Sequence, residues 1–153
     1  MKKLITEWRR YLAEGEVKFS GILKAKPDSA IIAEIERRQK NLPEQAVLLA
    51  NKDLHVTLIH QDFLKPFRER LRTMKFNDAP PVILDTGVII KTDSSQGTEK
   101  MSWAINLVNQ NEMRDYVAEL MEQLGAEITN PEPERVFHVS IANLTGNPHD
   151  SVR

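Results

Sequence analysis

The chain of 153 residues sets 21 Lys+Arg against 22 Asp+Glu, a net charge of −1, and 41% of its residues are hydrophobic. At this length folding removes roughly 68–70% of the unfolded chain's surface from water, so a core can form without metal or disulfide staples. Cysteine is absent, which excludes a disulfide framework, thiolate zinc sites and cysteine nucleophiles. A charge this close to zero argues against attraction to long duplex nucleic acid, yet a local basic patch can still hold a small anion.

Leu4, Ile5, Trp8, Tyr11 and Leu12 recur at helical spacing and predict an amphipathic helix over 3–13, stopped near Gly15. Its apolar face is expected to pack on the domain, or else to mediate self-association or docking of a partner. Glu7, Arg9 and Arg10 interrupt the stretch after Lys2 and Lys3, and the longest apolar run is 46–50, so neither an export signal nor a membrane span is expected. Val17, Phe19, Gly21 and Leu23 alternate and predict one strand over 17–24. Asp28 is placed to cap a helix whose buried stripe is Ile31, Ile32 and Ile35 and which ends before Pro43. A strand is predicted over 53–60, then a helix from about 63 to 74 with Pro66 in its first turn and Phe67, Leu71 and Met74 inward. Beyond Pro80 and Pro81, strands over 82–91 and 100–108 are expected to pair antiparallel across the polar stretch DSSQGTE. Asn111 is expected to cap a helix with Met113, Val117, Leu120, Met121 and Leu124 on one face and Gly125 as its stop. The NPEPE segment at 130–134 predicts no regular structure, 136–142 a last strand, and the remainder a loop. The organisation expected is an N-terminal helix over 1–15, a domain over 16–145 and a tail over 146–153.

Strand, helix and strand at 17–24, 28–41 and 54–60 recur at 100–108, 111–124 and 136–142, so the halves are expected to be pseudo-symmetric. Both closing strands carry one five-residue pattern, Leu54-His55-Val56-Thr57-Leu58 and Phe137-His138-Val139-Ser140-Ile141. Side chains alternate across a strand, so His55 and Thr57 share one face while Leu54, Val56 and Leu58 share the other, and the second motif sorts identically. A single histidine on a strand is ordinarily a hydrogen-bonded structural residue. Its duplication, with a hydroxyl two residues on in both units, points instead to chemistry.

With these motifs the chain resembles the 2H phosphoesterase superfamily, also called LigT-like or 2′-5′ RNA ligase-like, whose signature is two His-x-Thr/Ser-x motifs on facing strands. HVTL and HVSI both match, Ser140 being the less common hydroxyl choice, and the resemblance covers residues 17–143. It implies an α+β, bilobed fold: two pseudo-symmetric antiparallel-sheet lobes around a central cleft, here with an extra N-terminal helix. It also implies a phosphodiesterase that needs neither metal nor other cofactor, with His55, Thr57, His138 and Ser140 as catalytic residues. Imidazole titrates near pH ~6.5, so one neutral and one protonated ring can act together as base and acid. The two hydroxyls would donate to nonbridging phosphate oxygens. Residues alone do not say which histidine plays which part. His60, five residues beyond His55, is expected on the opposite side of its strand and His149 outside the site, which leaves few ligands for a metal.

Around the motifs, Arg135, Lys91 and Lys18 are candidate phosphate ligands, and Trp103, Tyr11 and Phe19 candidate platforms for a base. Lys65, Arg68, Arg70, Arg72 and Lys75 are expected to form a solvated helix face. Superfamily substrates include RNA 2′,3′-cyclic phosphate ends, 2′-5′ oligoadenylates and cyclic oligonucleotide defence signals. The opening MKKLITEWRRYL is similar to small proteins of large tailed phages, whose family members include nucleases that degrade such signals, and this favours a cyclic oligonucleotide met in the host cytoplasm. The rival from another class is a noncatalytic nucleotide-binding or scaffold module, against which the presence of both histidines and both hydroxyls counts.

Overall fold

The computed structural model describes residues 15–153; the helix expected over 3–13, with Tyr11, lies outside the described residues. Within them a seven-stranded antiparallel sheet and three α-helices make an α+β fold. The strands are β1 (Glu16–Phe19), β2 (Leu23–Lys26), β3 (Val47–Leu48), β4 (Val56–Ile59), β5 (Ile89–Asp93), β6 (Lys100–Asn106) and β7 (His138–Asn143). The helices are α1 (Ser29–Gln39), α2 (Arg68–Thr73) and α3 (Gln110–Gln123). Among the described residues no helix is long and apolar enough to cross a membrane.

The sheet order is β1-β2-β4-β7-β6-β5, with β3 added to the end of β7. Read from either edge it gives a hairpin and then the motif strand, so the repeated unit is hairpin, helix, strand. The single strand expected over 17–24 is therefore corrected to a hairpin. Gly21 takes φ 91°, a value most side chains resist, and the chain reverses between Ser20 and Ile22, whose backbone N and O bond at 3.0 Å.

The two motif strands meet at one Cα pair, Val56↔Val139, and β3 adds Val47↔Asn143 and Leu48↔Ala142 across the same seam. The helices of the two halves cross that seam: α1 packs against β7, and α3 against β4. Ile35 of α1 and Met113 of α3, both fully buried, join Val56 and Val139 in one hydrophobic core. Burying each such side chain contributes roughly 1.5–3 kcal/mol, so packing behind the sheet adds to the ladder bonds that hold the seam.

Asp28 caps α1 as expected, its carboxylate accepting from Ile31 N at 2.8 Å. At α3 the cap position is Asn109, not Asn111, and Asn109 makes no side-chain capping bond. Its carboxamide instead donates to Pro81 O and accepts from Ile83 N, tying down the proline-led segment that precedes β5. That segment is not the long strand expected over 82–91, because it reaches the sheet only through the bridge Leu84↔Leu107. The helix expected over 63–74 is broken into 3-10 turns at Gln61–Phe63 and Lys65–Phe67 before α2, with Pro66 inside the second turn.

Candidate active site

An antiparallel ladder centred on Val56↔Val139 sets His55 across from Ser140 and Thr57 across from His138. Val56 and Val139 point into the core, so the four polar side chains share the other face and line one cleft of about 440 Å³. His55 and His138 are diagonal neighbours across the seam, a separation of about 7–8 Å between their backbones, which leaves room for a phosphoryl group between the rings.

The symmetry extends beyond the motif. Leu23 pairs with Ile59 and Lys24 with Thr57, so Leu58 has no Cα partner; Trp103 pairs with Ala142 and Ala104 with Ser140, so Ile141 has none. Each motif strand thus carries a one-residue bulge directly after its hydroxyl residue. A bulge adds a step to the alternation, which explains why Leu58 and Ile59 are both buried, as are Ile141 and Ala142. It also corrects the expectation for His60. The added step returns His60 to the face of His55, where it lines the cleft. His60 is 7% exposed, and its Nδ1 lies 3.3 Å from Asp62 Oδ2. Consecutive apolar residues after each hydroxyl were the sequence signal for this phase change.

Both catalytic candidates are oriented the same way. His55 Nδ1 lies 2.7 Å from Asp53 O and His138 Nδ1 3.0 Å from Val136 O, in each case the carbonyl two residues back. A carbonyl only accepts, so Nδ1 carries the proton and Nε2 is left as the acceptor toward a ligand. Burial lowers the His138 pKa from 6.5 to about 4, opposed by the bond to Val136 O and reinforced by Lys91, Arg135 and His55. Burial also lowers that of His55, opposed by the bond to Asp53 O. Lys24 and Lys26 lower it further, while the Asp53 carboxylate raises it. Lys91 Nζ sits 3.3 Å from His138 Nδ1; with that nitrogen's proton given to Val136 O, the ammonium acts on the ring through its charge.

Arg135 lines the cleft and links the halves: its Nε donates to Thr57 O at 3.2 Å while Nη1 meets Glu132 Oε2 at 2.9 Å. Lys91 reaches His138 from β5, in an adjoining cavity. Two further candidates are not at the site. Trp103 is 2% exposed and belongs to the hydrophobic core, so no base can stack on it. Lys18, opposite Lys24 on the outer strand β1, does not line the cleft and pairs loosely with Glu16 at 3.9 Å. Phe19 packs on the core as well. Of the basic run over 65–75, Arg70 binds the end of α3 through Leu124 O and Gln123 O, and none of its residues lines the cleft.

The cleft also holds residues that strand periodicity does not single out. Lys24 arrives opposite Thr57 because β1 and β2 form a hairpin, and Lys52 from the 3-10 turn before the first motif. Ser20-Gly21, a turn dipeptide, was the signal for the hairpin. The tail is not a free loop. Asn143, fully buried, donates to Asn147 O and Ser151 Oγ and accepts from Thr145 N and Gly146 N. Val152 N donates to Ser102 Oγ at 2.6 Å, and the segment sets His149, Ser151 and Arg153 along the cleft. His149, exposed as expected, is thus at the cleft rim and not remote from it.

Among the described residues no group of three or more His, Asp and Glu is placed to hold a metal ion. What the cleft offers is the two motif imidazoles, held neutral by burial, the two motif hydroxyls and several cations around a space of small-ligand size. Set against protein-family models, curated proteins and solved structures, the chain matches none of them.

Proposed function

We propose that the chain is a two-histidine phosphodiesterase of the 2H phosphoesterase kind, with a bilobed LigT-like architecture in which each half of the sheet is one lobe. It hydrolyses a 2′ or 3′ phosphodiester in a small nucleotide, with a cyclic oligonucleotide as the favoured substrate. The observation that carries this reading is the pair of identically oriented imidazoles, each with a hydroxyl two residues on, facing one cleft across a pseudo-twofold seam.

The scissile phosphate sits between the rings, with Thr57 and Ser140 donating to its nonbridging oxygens. His138, beside Lys91 and Arg135, is the ring held most firmly neutral, and it accepts the proton of the attacking water at Nε2. The water oxygen forms its bond to phosphorus as the ester bond breaks. His55, whose charged form burial, Lys24 and Lys26 oppose and the Asp53 carbonyl and carboxylate support, gives its Nε2 proton to the departing oxygen. In the free protein burial keeps this ring's pKa low as well, and the phosphodiester anion supplies the negative charge that lets it protonate. A proton returned to His55 and one lost from His138 to solvent complete the cycle.

The test is incubation of the purified protein in EDTA with 2′,3′-cyclic nucleotides, 2′-5′ linked oligoadenylates and cyclic di- and trinucleotides, read by mass spectrometry. Turnover of at least one is expected, with the rate following a bell against pH. Turnover of none, or only after a divalent metal is added, contradicts the proposal.

A further inference from the structure

The hairpin of β1 and β2 sets a group of cations beside the cleft. Lys24 is the Cα partner of Thr57, and directly opposite residues share a face of the sheet, so Lys24 stands on the cleft face and lines the cleft. Two residues on, Lys26 falls on the same face, and the register of the hairpin puts Lys18 opposite Lys24 and Glu16 opposite Lys26. Lys52 completes the group, lining the cleft while its carbonyl accepts from Lys26 Nζ. These four lysines stand with two carboxylates, Glu16 and Asp53, so positive charge is in excess. Lys18 pairs loosely with Glu16 at 3.9 Å, and among the described residues Lys24, Lys26 and Lys52 enter no ion pair. Lys18 opposite Lys24 is an arrangement that costs the hairpin stability, because like charges directly across a ladder repel. The crowding reaches Lys26, whose pKa burial lowers most and Lys24 and Lys18 lower further, against Asp53 and Glu16.

We infer that this face is a track for the phosphates that flank the scissile one, so that the enzyme prefers an oligonucleotide, ring or linear, to a mononucleotide. The inference rests on the phosphodiesterase reading and narrows its substrate class. Lys24 and Lys52 line the cleft that holds His55 and Thr57, so a backbone leaving the rings on that side meets them first and Lys26 and Lys18 next. Lys24 and Lys26 are about 6.4–6.8 Å apart along the strand, and a phosphate lying between their ammonium groups replaces repulsion with two charge-assisted bonds. No aromatic side chain stands among these residues, so the track answers to backbone charge and not to base identity. A mononucleotide 2′,3′-cyclic phosphate occupies the cleft and leaves Lys18 and Lys26 without an anion.

The experiment uses the full chain carrying His138→Ala, a residue outside the hairpin, to suppress turnover. Calorimetry measures binding of oligoadenylates of two, four and six nucleotides, in 3′-5′ and 2′-5′ linkages and at low and high salt. In at least one linkage the tetranucleotide is expected to bind roughly tenfold or more tightly than the dinucleotide, and this advantage to shrink as salt rises. Lys18→Gln together with Lys26→Gln, neither of which lines the cleft, is expected to remove most of the advantage and to flatten the salt slope by roughly 0.7 per lysine, with the dinucleotide bound as before. Lys18→Gln alone removes part of it, and Lys18→Arg with Lys26→Arg keeps it. Affinity that does not rise with the number of phosphates, an advantage that survives the double Gln substitution, or an equal loss in Arg72→Gln with Lys75→Gln, exposed cations outside the cleft lining, overturns the track and leaves the catalytic reading standing. Binding of no probe also overturns the track, and with no turnover of any phosphodiester by the unsubstituted chain it overturns both.

Discussion

The half that carries His55 and the half that carries His138 repeat one another in backbone and differ in charge. Each has a hairpin, a helix and a motif strand; each strand bulges after its hydroxyl residue, and each imidazole donates to the carbonyl two residues back. The surroundings then part company. His138 is 8% exposed beside Lys91 and Arg135, while His55 has the Asp53 carboxylate among its neighbours as well as Lys24 and Lys26. Duplicated backbone geometry supplies two equivalent rings; burial is the largest cause lowering both pKa values, and of the two only His55 has a carboxylate, Asp53, among the charges around it.

Breaking the symmetry at either ring has the largest expected effect. His55→Ala and His138→Ala each lower turnover by roughly 10²- to 10⁴-fold with the fold intact, which circular dichroism alongside the rate assay checks. Next come the hydroxyls. Thr57→Val and Ser140→Ala each remove a hydroxyl proposed to donate to phosphate and are expected to lower kcat by up to about 10²- to 10³-fold. If both turn over like the unsubstituted chain, these hydroxyls are structural.

The burial of His138 also has a stability signature. The unfolded chain binds a proton at the position of His138 near pH 6.5, and the folded chain only near pH 4. Stability from this ring is therefore complete above pH 6.5 and is lost as the pH falls toward 4, by on the order of 3 kcal/mol. Urea midpoints at pH 7.5 and 4.5 should separate less in His138→Gln than in the parent. An equal separation in the two proteins shows that the ring is not held neutral by the fold.

The smallest effect concerns the helices that cross the seam. Asp28→Ala removes the capping bond of α1 and costs about 1 kcal/mol, whereas Asn111→Ala, at a position that caps nothing, stays within roughly 0.5 kcal/mol. Thermal melts of the two variants should differ in that order.

What was legible in the chain follows from which signals are local. Alternation of polar and apolar residues is a local property of a strand, so the two motifs and their shared face could be read directly. The helices α1 and α3 were equally plain, because Ile31, Ile32 and Ile35, and Met113, Val117, Leu120 and Met121, repeat at helical spacing. The bulges left only an indirect mark, the two consecutive apolar residues after each hydroxyl. A bulge depends on the partner strand, and counting by twos put His60 on the wrong face. Trp103 shows a related limit, since an aromatic residue of a strand looks the same in sequence whether it lines a cleft or turns into the core. Asn143 shows another: its carboxamide folds the last ten residues against the cleft through contacts that have no sequence period. The cations Lys24, Lys52 and Arg153 reached the cleft by such routes, through a hairpin, a 3-10 turn and a tethered tail.

The proposed division of labour between the two rings can be tested with two phosphodiesters that differ only in the departing group, one an alkoxide and the other a nitrophenolate, which leaves without a proton. Rates are compared for the unsubstituted chain, His55→Ala and His138→Ala. Both variants should be slow on the alkyl ester, and the nitrophenyl ester should restore His55→Ala by at least about tenfold relative to His138→Ala, because only the acid has become dispensable. Full activity of either variant on the alkyl ester, or equal restoration of both by the nitrophenyl ester, would contradict an acid and a base divided between His55 and His138.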